Sequence, residues 1–390
     1  MFDPLVSSSV GRDALAAVIG LCVGSFLNVL ALRSLKEQSL LRPPSSCPKC
    51  EHRIEIYDLI PVVSYFALGG KCRHCRAPIS WMYPFVEAFT ACTFVVLLHI
   101  YGPNFDAEPT FMDYGNLIGM SIFSCTLIAI CITDFKEKLI PHEITYPSML
   151  LGIAYSGIVR NDMSGALIGI GISYILFDFL AFYGLKFYIW KYGDPDDPEE
   201  RKKRILLDRD REGLFEAGPD PDMHIHHSLY SADARNRESA LEEDDEEFTV
   251  MGGGDAVLSA VMASWIGFQA LGVALLVGFL AGTVMGSVYL FYEMYKAKIL
   301  KQCIRPALLH MVFLVALVEG MLLFLRYLSQ GVTMNLPYLQ LGILAAVGGA
   351  LLGVLKSGHE VQKPFPFGPA LAFGAVVAMA TKNMIFPNAP

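Results

Sequence analysis

The chain has 390 residues, 54% of them hydrophobic, and a mean hydropathy of +0.45, too apolar for an ordinary soluble protein. Its formal charge of -8 says little about partners, because half of its 38 Asp and Glu sit in one segment, Asp194–Glu247. No nucleic-acid signature emerges from the remainder.

Apolar runs of about 20 residues, the length that crosses a bilayer, recur along the chain. They lie at 14–32, 84–101, 115–133, 144–160, 164–190, 255–268, 270–292, 306–328, 338–355 and 367–386. They predict an all-α polytopic membrane protein of about 8–10 transmembrane helices with a small cytosolic zinc-binding loop domain. Residues 1–33 carry the first helix. Asp3, Arg12 and Asp13 precede it and no Ala-x-Ala site closes it, so it reads as retained rather than as a cleaved signal. Residues 34–83 form the cysteine-bearing loop and 84–192 the next four helices. The insert 193–250 combines Asp194-Pro195-Asp196-Asp197-Pro198 with Arg201–Arg204 and Glu242–Glu247. Low hydrophobicity and many charges make it a mobile solvated loop, in which His224, His226 and His227 are incidental. Residues 251–292 hold a glycine-rich turn and helices, with the break in 255–292 left open. An added helix pair fills 293–356, and 357–390 closes the chain.

Lys and Arg sort between the loops. Arg33, Lys36, Arg42, Lys49, Arg53, Lys71, Arg73 and Arg76 follow the first helix, whereas the loop 102–113 has none. Lys136 and Lys138 follow the third helix, and the turn after the fourth offers only Arg160. Arg201–Arg204 and then Lys296, Lys298, Lys301 and Arg305 come later. The positive-inside rule puts these basic loops in the cytoplasm.

Cys47-x-x-Cys50 and Cys72-x-x-Cys75 are two CxxC pairs. Such pairs deliver four thiolates tetrahedrally to zinc, and a reducing cytosol disfavours disulfides. Four protein ligands leave no open position, so the metal is structural rather than catalytic. Redox or vestigial cysteines are the alternative. Cys22, Cys92, Cys125, Cys131 and Cys303 read as small buried hydrophobes.

Asp134 closes one apolar run, and Asp255 opens another behind Gly252, Gly253 and Gly254. Both fall on the cytoplasmic side by the charge pattern. An ionisable residue in a membrane segment marks function by default. Two carboxylates that share a proton make an acid/base couple able to activate water against a peptide bond. The three glycines let backbone approach an extended substrate. Asp178, deep in the fifth run, is a rival; a buried polar contact accounts for it better. Glu87 positions substrate, or else is a helix-end carboxylate facing the interface. Glu293, His310 and Glu319 read as structural.

At this point a family resemblance is legible. Gly24-Ser25-Phe26-Leu27-Asn28-Val29 resembles the opening of the type IV prepilin leader peptidases. So does the run Tyr57-Asp58, Ile60-Pro61-Val62, Ser64-Tyr65, Gly70, Ile79-Ser80, Tyr83-Pro84 and Glu87 around the cysteines. Asp134 with Ile140-Pro141 and Thr145 is similar to the first catalytic block of that family. Gly252–Asp255 with Trp265-Ile266-Gly267 is similar to its GxGD block, and Pro364–Pro369 to its closing segment. The resemblance implies an integral aspartic endopeptidase of the bacterial inner membrane with Asp134 and Asp255 as the dyad. Such enzymes cut the charged leader from prepilins and pseudopilins at the cytoplasmic face, and many then methylate the new N-terminus with S-adenosylmethionine. Type IV pilus or type II secretion assembly proteins are the further partners implied, beside the lipid bilayer. The residues themselves give no glycine-rich turn after a strand, so S-adenosylmethionine rests on resemblance and its contact residues are unknown. Val257 stands where relatives commonly carry lysine, while Lys136 and His142 replace residues that are commonly acidic, or acidic or Asn.

Two other readings are kept as expectations. One is a GxGD peptidase acting on another membrane substrate without methylation. The other is a transporter whose carboxylates relay protons, which paired broken helices in the two halves would favour.

Overall fold

Ser8, in extended backbone, accepts the Gly11 N–H at 3.0 Å and starts the first helix, α1 (Ser9–Ser34). A computed structural model describes residues 8–36, 38–39, 44–103, 108–192, 253–296, 308–309, 311–313, 315–316 and 366–385. The insert 193–250, Gly252, His310, Glu319, the run 338–355 and most of 306–328 lie outside these. A 3-10 turn (Ile56–Leu59) and the short helix α2 (Val63–Ala67) follow α1. Then come α3 (Met82–Tyr101), α4 (Phe111–Glu137), α5 (His142–Ile158), α6 (Met163–Tyr192), α7 (Gly253–Lys296) and α8 (Gly368–Ile385). Among the described residues there is no sheet, only two isolated bridges in the cysteine loop. Among the described residues, five helices are long and apolar enough to cross a membrane: α1, α3, α4, and within α6 and α7 the stretches Met163–Phe187 and Gly253–Tyr289. The expected helical class holds.

The chain forms two compact units, residues 1–170 with 258–390 and residues 171–257. Of the second, the structure describes the later part of α6 and the first turn of α7.

In the first unit α1 and α3 approach at glycines. A Cβ on Gly20 would lie 2.6 Å from the Ala91 Cα, and one on Gly24 2.8 Å from the Glu87 Cα. Lipid supplies no hydrophobic drive between helices, so small residues that permit close packing take its place. Thr110 and Asp113 cap the start of α4 reciprocally.

The core of this unit is organised by Trp265 of α7, which is 1% exposed. It stacks on Phe123 at 5.6 Å and leans on Tyr155 at 5.3 Å. Its Nε1 donates to Ser148 Oγ at 3.1 Å, Ser148 meets Thr126 at 2.9 Å, and Ser156 donates to the Ser264 carbonyl at 2.7 Å. Interhelical hydrogen bonds of this kind average only about 0.6 kcal/mol each in membrane proteins. Shape and ring packing therefore carry most of the cohesion, and the polar contacts fix the register.

The sequence left the break in 255–292 open; the structure puts it at Gly267, with φ 78 and ψ 170. Gly253–Ile266 is thus a half-helix about 20 Å long at 1.5 Å per residue. Its last carbonyls lack intrahelical donors, and Arg160 supplies one: Nη1 donates to the Trp265 carbonyl at 3.0 Å. Arg160 also meets Ser156 and Asp162, both at 3.3 Å. The single basic residue of that turn is therefore a buried helix cap, which reconciles it with the charge rule. A Cβ at position 267 would lie 2.5 Å from Arg160 Nη2. Gly267→Ala should therefore destabilise the protein, by roughly 1–3 kcal/mol or more, because positive φ with extended ψ is open essentially to glycine alone. Unfolding in mixed micelles measures this, and unchanged stability would contradict the capped break.

Candidate active site and metal centre

Asp134 lies one turn before the end of α4 and is 5% exposed. Its carbonyl accepts the N–H of Lys138, which ends the helix in the left-handed region at φ 55. Its Oδ2 accepts the backbone N–H of Gly368 at 2.8 Å, from a residue 234 positions away. Gly368 opens α8, so this N–H has no intrahelical acceptor, and a helix N-terminus favours a negative group. A Cβ on Gly368 would stand 2.9 Å from the same oxygen. Glycine is what lets this backbone reach the carboxylate.

Asp255 occupies the first turn of α7 and is half-buried, with Gly253 and Gly254 just ahead of it in the helix. Gly252 falls outside the described residues. Asp134 and Asp255 belong to different compact units.

Glu87 is buried on α3, and its Oε2 accepts the Val62 N–H at 2.7 Å. Val62 has φ 61 and ψ -50, and Val63 N–H reaches the Pro61 carbonyl at 2.6 Å. That is a γ-turn of the rarer, strained hand, with a β-branched residue at its centre. Such a conformation costs on the order of 1–3 kcal/mol, and a hydrogen bond to a charged group is worth about 1.5–3 kcal/mol. The turn is held by Glu87. Sequence reasoning gave Glu87 a place at the site but had no signal for the turn, since valine does not advertise positive φ.

The cysteine loop consists of two knuckles built alike. Cys47 N–H donates to the His52 carbonyl and Glu51 N–H to the Cys47 carbonyl; Cys72 N–H and Arg76 N–H repeat both bonds with Ala77 and Cys72. Glu51 and Arg76 hold equivalent positive φ angles of 56° and 59°. The isolated bridges Ser46–Arg53 and Lys71–Pro78 close the two turns. His52 and His74 then meet with ring centroids 3.6 Å apart. Arg73 grips Asp58 through Nε at 2.8 Å and Nη2 at 2.6 Å, which ties the 3-10 turn to the second knuckle. This pair holds the Asp58 carboxyl below its ordinary range and raises the Arg73 guanidinium.

The ligand atoms of Cys47, Cys50, Cys72 and Cys75 all lie within 4.8 Å of one another, and Cys47 Sγ is 3.8 Å from Cys75 Sγ. For metal–sulfur bonds of about 2.3 Å, the edge of a thiolate tetrahedron is about 3.8 Å. The donor set therefore fits a tetrahedral metal ion. Backbone N–H groups of Cys50 and Lys49 pull the Cys47 thiol down to about 6. At Cys50 the His52 N–H pulls downward, but burial and the neighbouring sulfurs outweigh it and push the thiol up to about 11. Four thiolates this close would repel one another without a cation.

The model of the bacterial peptidase A24 N-terminal domain matches residues 18–101, and that of the type IV leader peptidase family matches residues 121–287. A type 4 prepilin-like proteins leader peptide-processing enzyme of Escherichia coli is 31% identical over 206 residues, 48% of this chain and 71% of that protein. The chain belongs to the type IV leader peptidase family. A prepilin leader peptidase/N-methyltransferase of Myxococcus xanthus is 36% identical over 172 residues, 44% of this chain and 48% of that protein. Another, from Pseudomonas putida, is 31% identical over 182 residues, 40% of this chain and 60% of its own length. The chain thus spans about half the length of the M. xanthus relative. No solved structure matches it. Both aspartates fall inside the stretch matched to the leader peptidase family, and the cysteines and Glu87 inside the N-terminal one. Gly368 lies beyond both, so the contact that fixes Asp134 comes from outside the family-matched stretches.

The purified protein should carry one tightly held divalent metal per chain by elemental mass spectrometry, and Cys75→Ser should release most of it. A metal-free preparation that keeps the folded loop would contradict the site.

Proposed function

We propose that this protein is a membrane aspartic endopeptidase that removes the leader peptide of type IV prepilins or pseudopilins at the cytoplasmic face, and then N-methylates the new terminus. The observation that carries the reading is the buried Asp134 carboxylate held by the N-terminus of α8, on a chain whose relatives are named for this processing.

One aspartate is ionised and takes a proton from water as the oxygen attacks the scissile carbonyl. The other, protonated, donates to the carbonyl oxygen, and the pair then returns a proton to the leaving amine. Like charges a few ångströms apart do not both ionise cheaply, so the pair shares one proton. With Oδ2 of Asp134 engaged by Gly368, Oδ1 is the oxygen that faces water or carbonyl. Gly252, Gly253 and Gly254 admit an extended substrate backbone; a Cβ placed at Gly253 would meet nothing within 4 Å. Position at the membrane edge suits a substrate whose leader is soluble and whose next segment is an apolar helix.

Zinc is the metal that four closely set cysteines suit best, and its role is to fold the loop. Cys47, Cys50, Cys72 and Cys75 would hold it and leave no position for substrate. For the second activity S-adenosylmethionine supplies an electrophilic methyl group, and the acceptor amine must give up its proton before it takes that methyl.

Mass spectrometry of a prepilin incubated with membranes containing the protein and S-adenosylmethionine should show a leader-sized loss plus one methyl mass. Asp134→Asn and Asp255→Asn should each lower cleavage by at least about a thousandfold; retained cleavage removes that residue from the pair. Gly368→Val should lower kcat by roughly tenfold to a hundredfold through misplacement of Asp134, with less change in KM. An unaltered kcat would show that the Gly368 contact does not position the acid.

A further inference from the structure

Two buried acceptors where α1 crosses α3 have no place in the peptidase chemistry. Glu87 is 8% exposed. Its carboxylate has two neutral donors, the Val62 N–H and the Ser25 hydroxyl, and no cation among the described residues pairs with it. Asn28 is 1% exposed. Its Nδ2 donates to the Gly24 and Tyr83 carbonyls, each at 3.3 Å, and its Oδ1 is buried with no donor. Tyr83 and Glu87 are one turn apart on α3, as Gly24 and Asn28 are on α1; Asn28 meets the Tyr83 carbonyl and a Cβ on Gly24 would lie 2.8 Å from the Glu87 Cα, so both side chains belong to one seam between the two helices. A buried carboxylate without a cation and a buried amide oxygen without a donor are each costly. Both are complementary to the same kind of group, one with positive charge and several N–H donors.

We propose that Glu87 and Asn28 bind a primary ammonium group at this seam, with the strained turn at Val62 as its cover. Without ligand, the Val62 N–H serves the carboxylate. When the turn moves away it loses that hydrogen bond but sheds its strain, so the exchange is close to balanced, and the ammonium takes the place of the N–H. Two reactants of the proposed processing carry this group: the new N-terminus of the cut substrate and the amino-acid end of the methyl donor. Only the identity of the ligand rests on the proposed function.

Calorimetry on the full chain in lipid nanodiscs tests the site with two pairs of probes. One pair is a short apolar peptide with a free or an acetylated N-terminus. The other is S-adenosylhomocysteine and its N-acetyl form. In at least one pair the free amine should bind at least about tenfold more tightly, as a charge-assisted contact requires. Glu87→Gln should abolish that preference while metal content stays unchanged. Val62→Gly, which adopts φ 61 without strain, should keep the cover shut and weaken the free amine several-fold. A preference confined to the peptide pair assigns the new N-terminus, and one confined to the nucleoside pair assigns the methyl donor. Equal binding within both pairs to the wild-type protein overturns the proposal, and so does a preference that survives Glu87→Gln. The wild-type comparison needs no variant to fold. If the protein cuts no prepilin yet prefers free S-adenosylhomocysteine, the substrate reading falls and the site stands.

Discussion

A carboxylate at the end of a membrane helix needs donors that neither lipid nor its own helix supplies, and this constraint shapes the molecule around Asp134. The donor is the Gly368 N–H, 2.8 Å from Oδ2, free because it opens α8. For that bond to form, the last helix must return to the end of α4. Tyr101 helps hold it there, donating to the Met379 carbonyl at 3.0 Å. The cluster on Trp265 sets α4, α5 and α7 in register. Arg160 then ends the first part of α7 at Gly267, so the helix that carries Asp255 in its first turn is short and separately capped.

The cysteine loop obeys the same economy of donors on a smaller scale. Two short turns with few large apolar residues do not bury enough surface to fold alone. Repeated backbone bonds at Cys47 and Cys72 prearrange the four sulfurs, and a metal ion would remove their mutual repulsion. The loop is then joined to the membrane helices through a strained turn and one buried carboxylate. A change in the loop therefore has a physical route to α3 and α1.

Much of this was legible in the residues. Hydropathy gave the helical class and the runs behind α1, α3, α4 and α6, and cysteine spacing gave the four thiols that could hold a metal. Asp134 and Asp255 stood out because charge is rare at such positions. What was illegible is long-range or backbone in origin. Nothing near residue 368 says that its N–H meets a side chain 234 positions earlier. Val62 is the last residue type expected at positive φ, since the strain is imposed by Glu87 rather than by local preference. The break at Gly267 hid inside a continuous apolar stretch, because its cap, Arg160, lies in another loop. Residues 193–250, Gly252 and the run 338–355 fall outside the described residues, so those expectations stand as they were made.

The central claim is that Asp134 and Asp255 work as one pair, and proximity tests it most directly. Asp134→Cys and Asp255→Cys would be combined in a chain with a protease site engineered into the insert 193–250, then treated in membranes with a short thiol-specific cross-linker. The chain carrying Asp134→Cys alone serves as the control. The account predicts that the two fragments stay joined after proteolysis only in the 134/255 chain. Fragments that separate there as readily as in the control would contradict it.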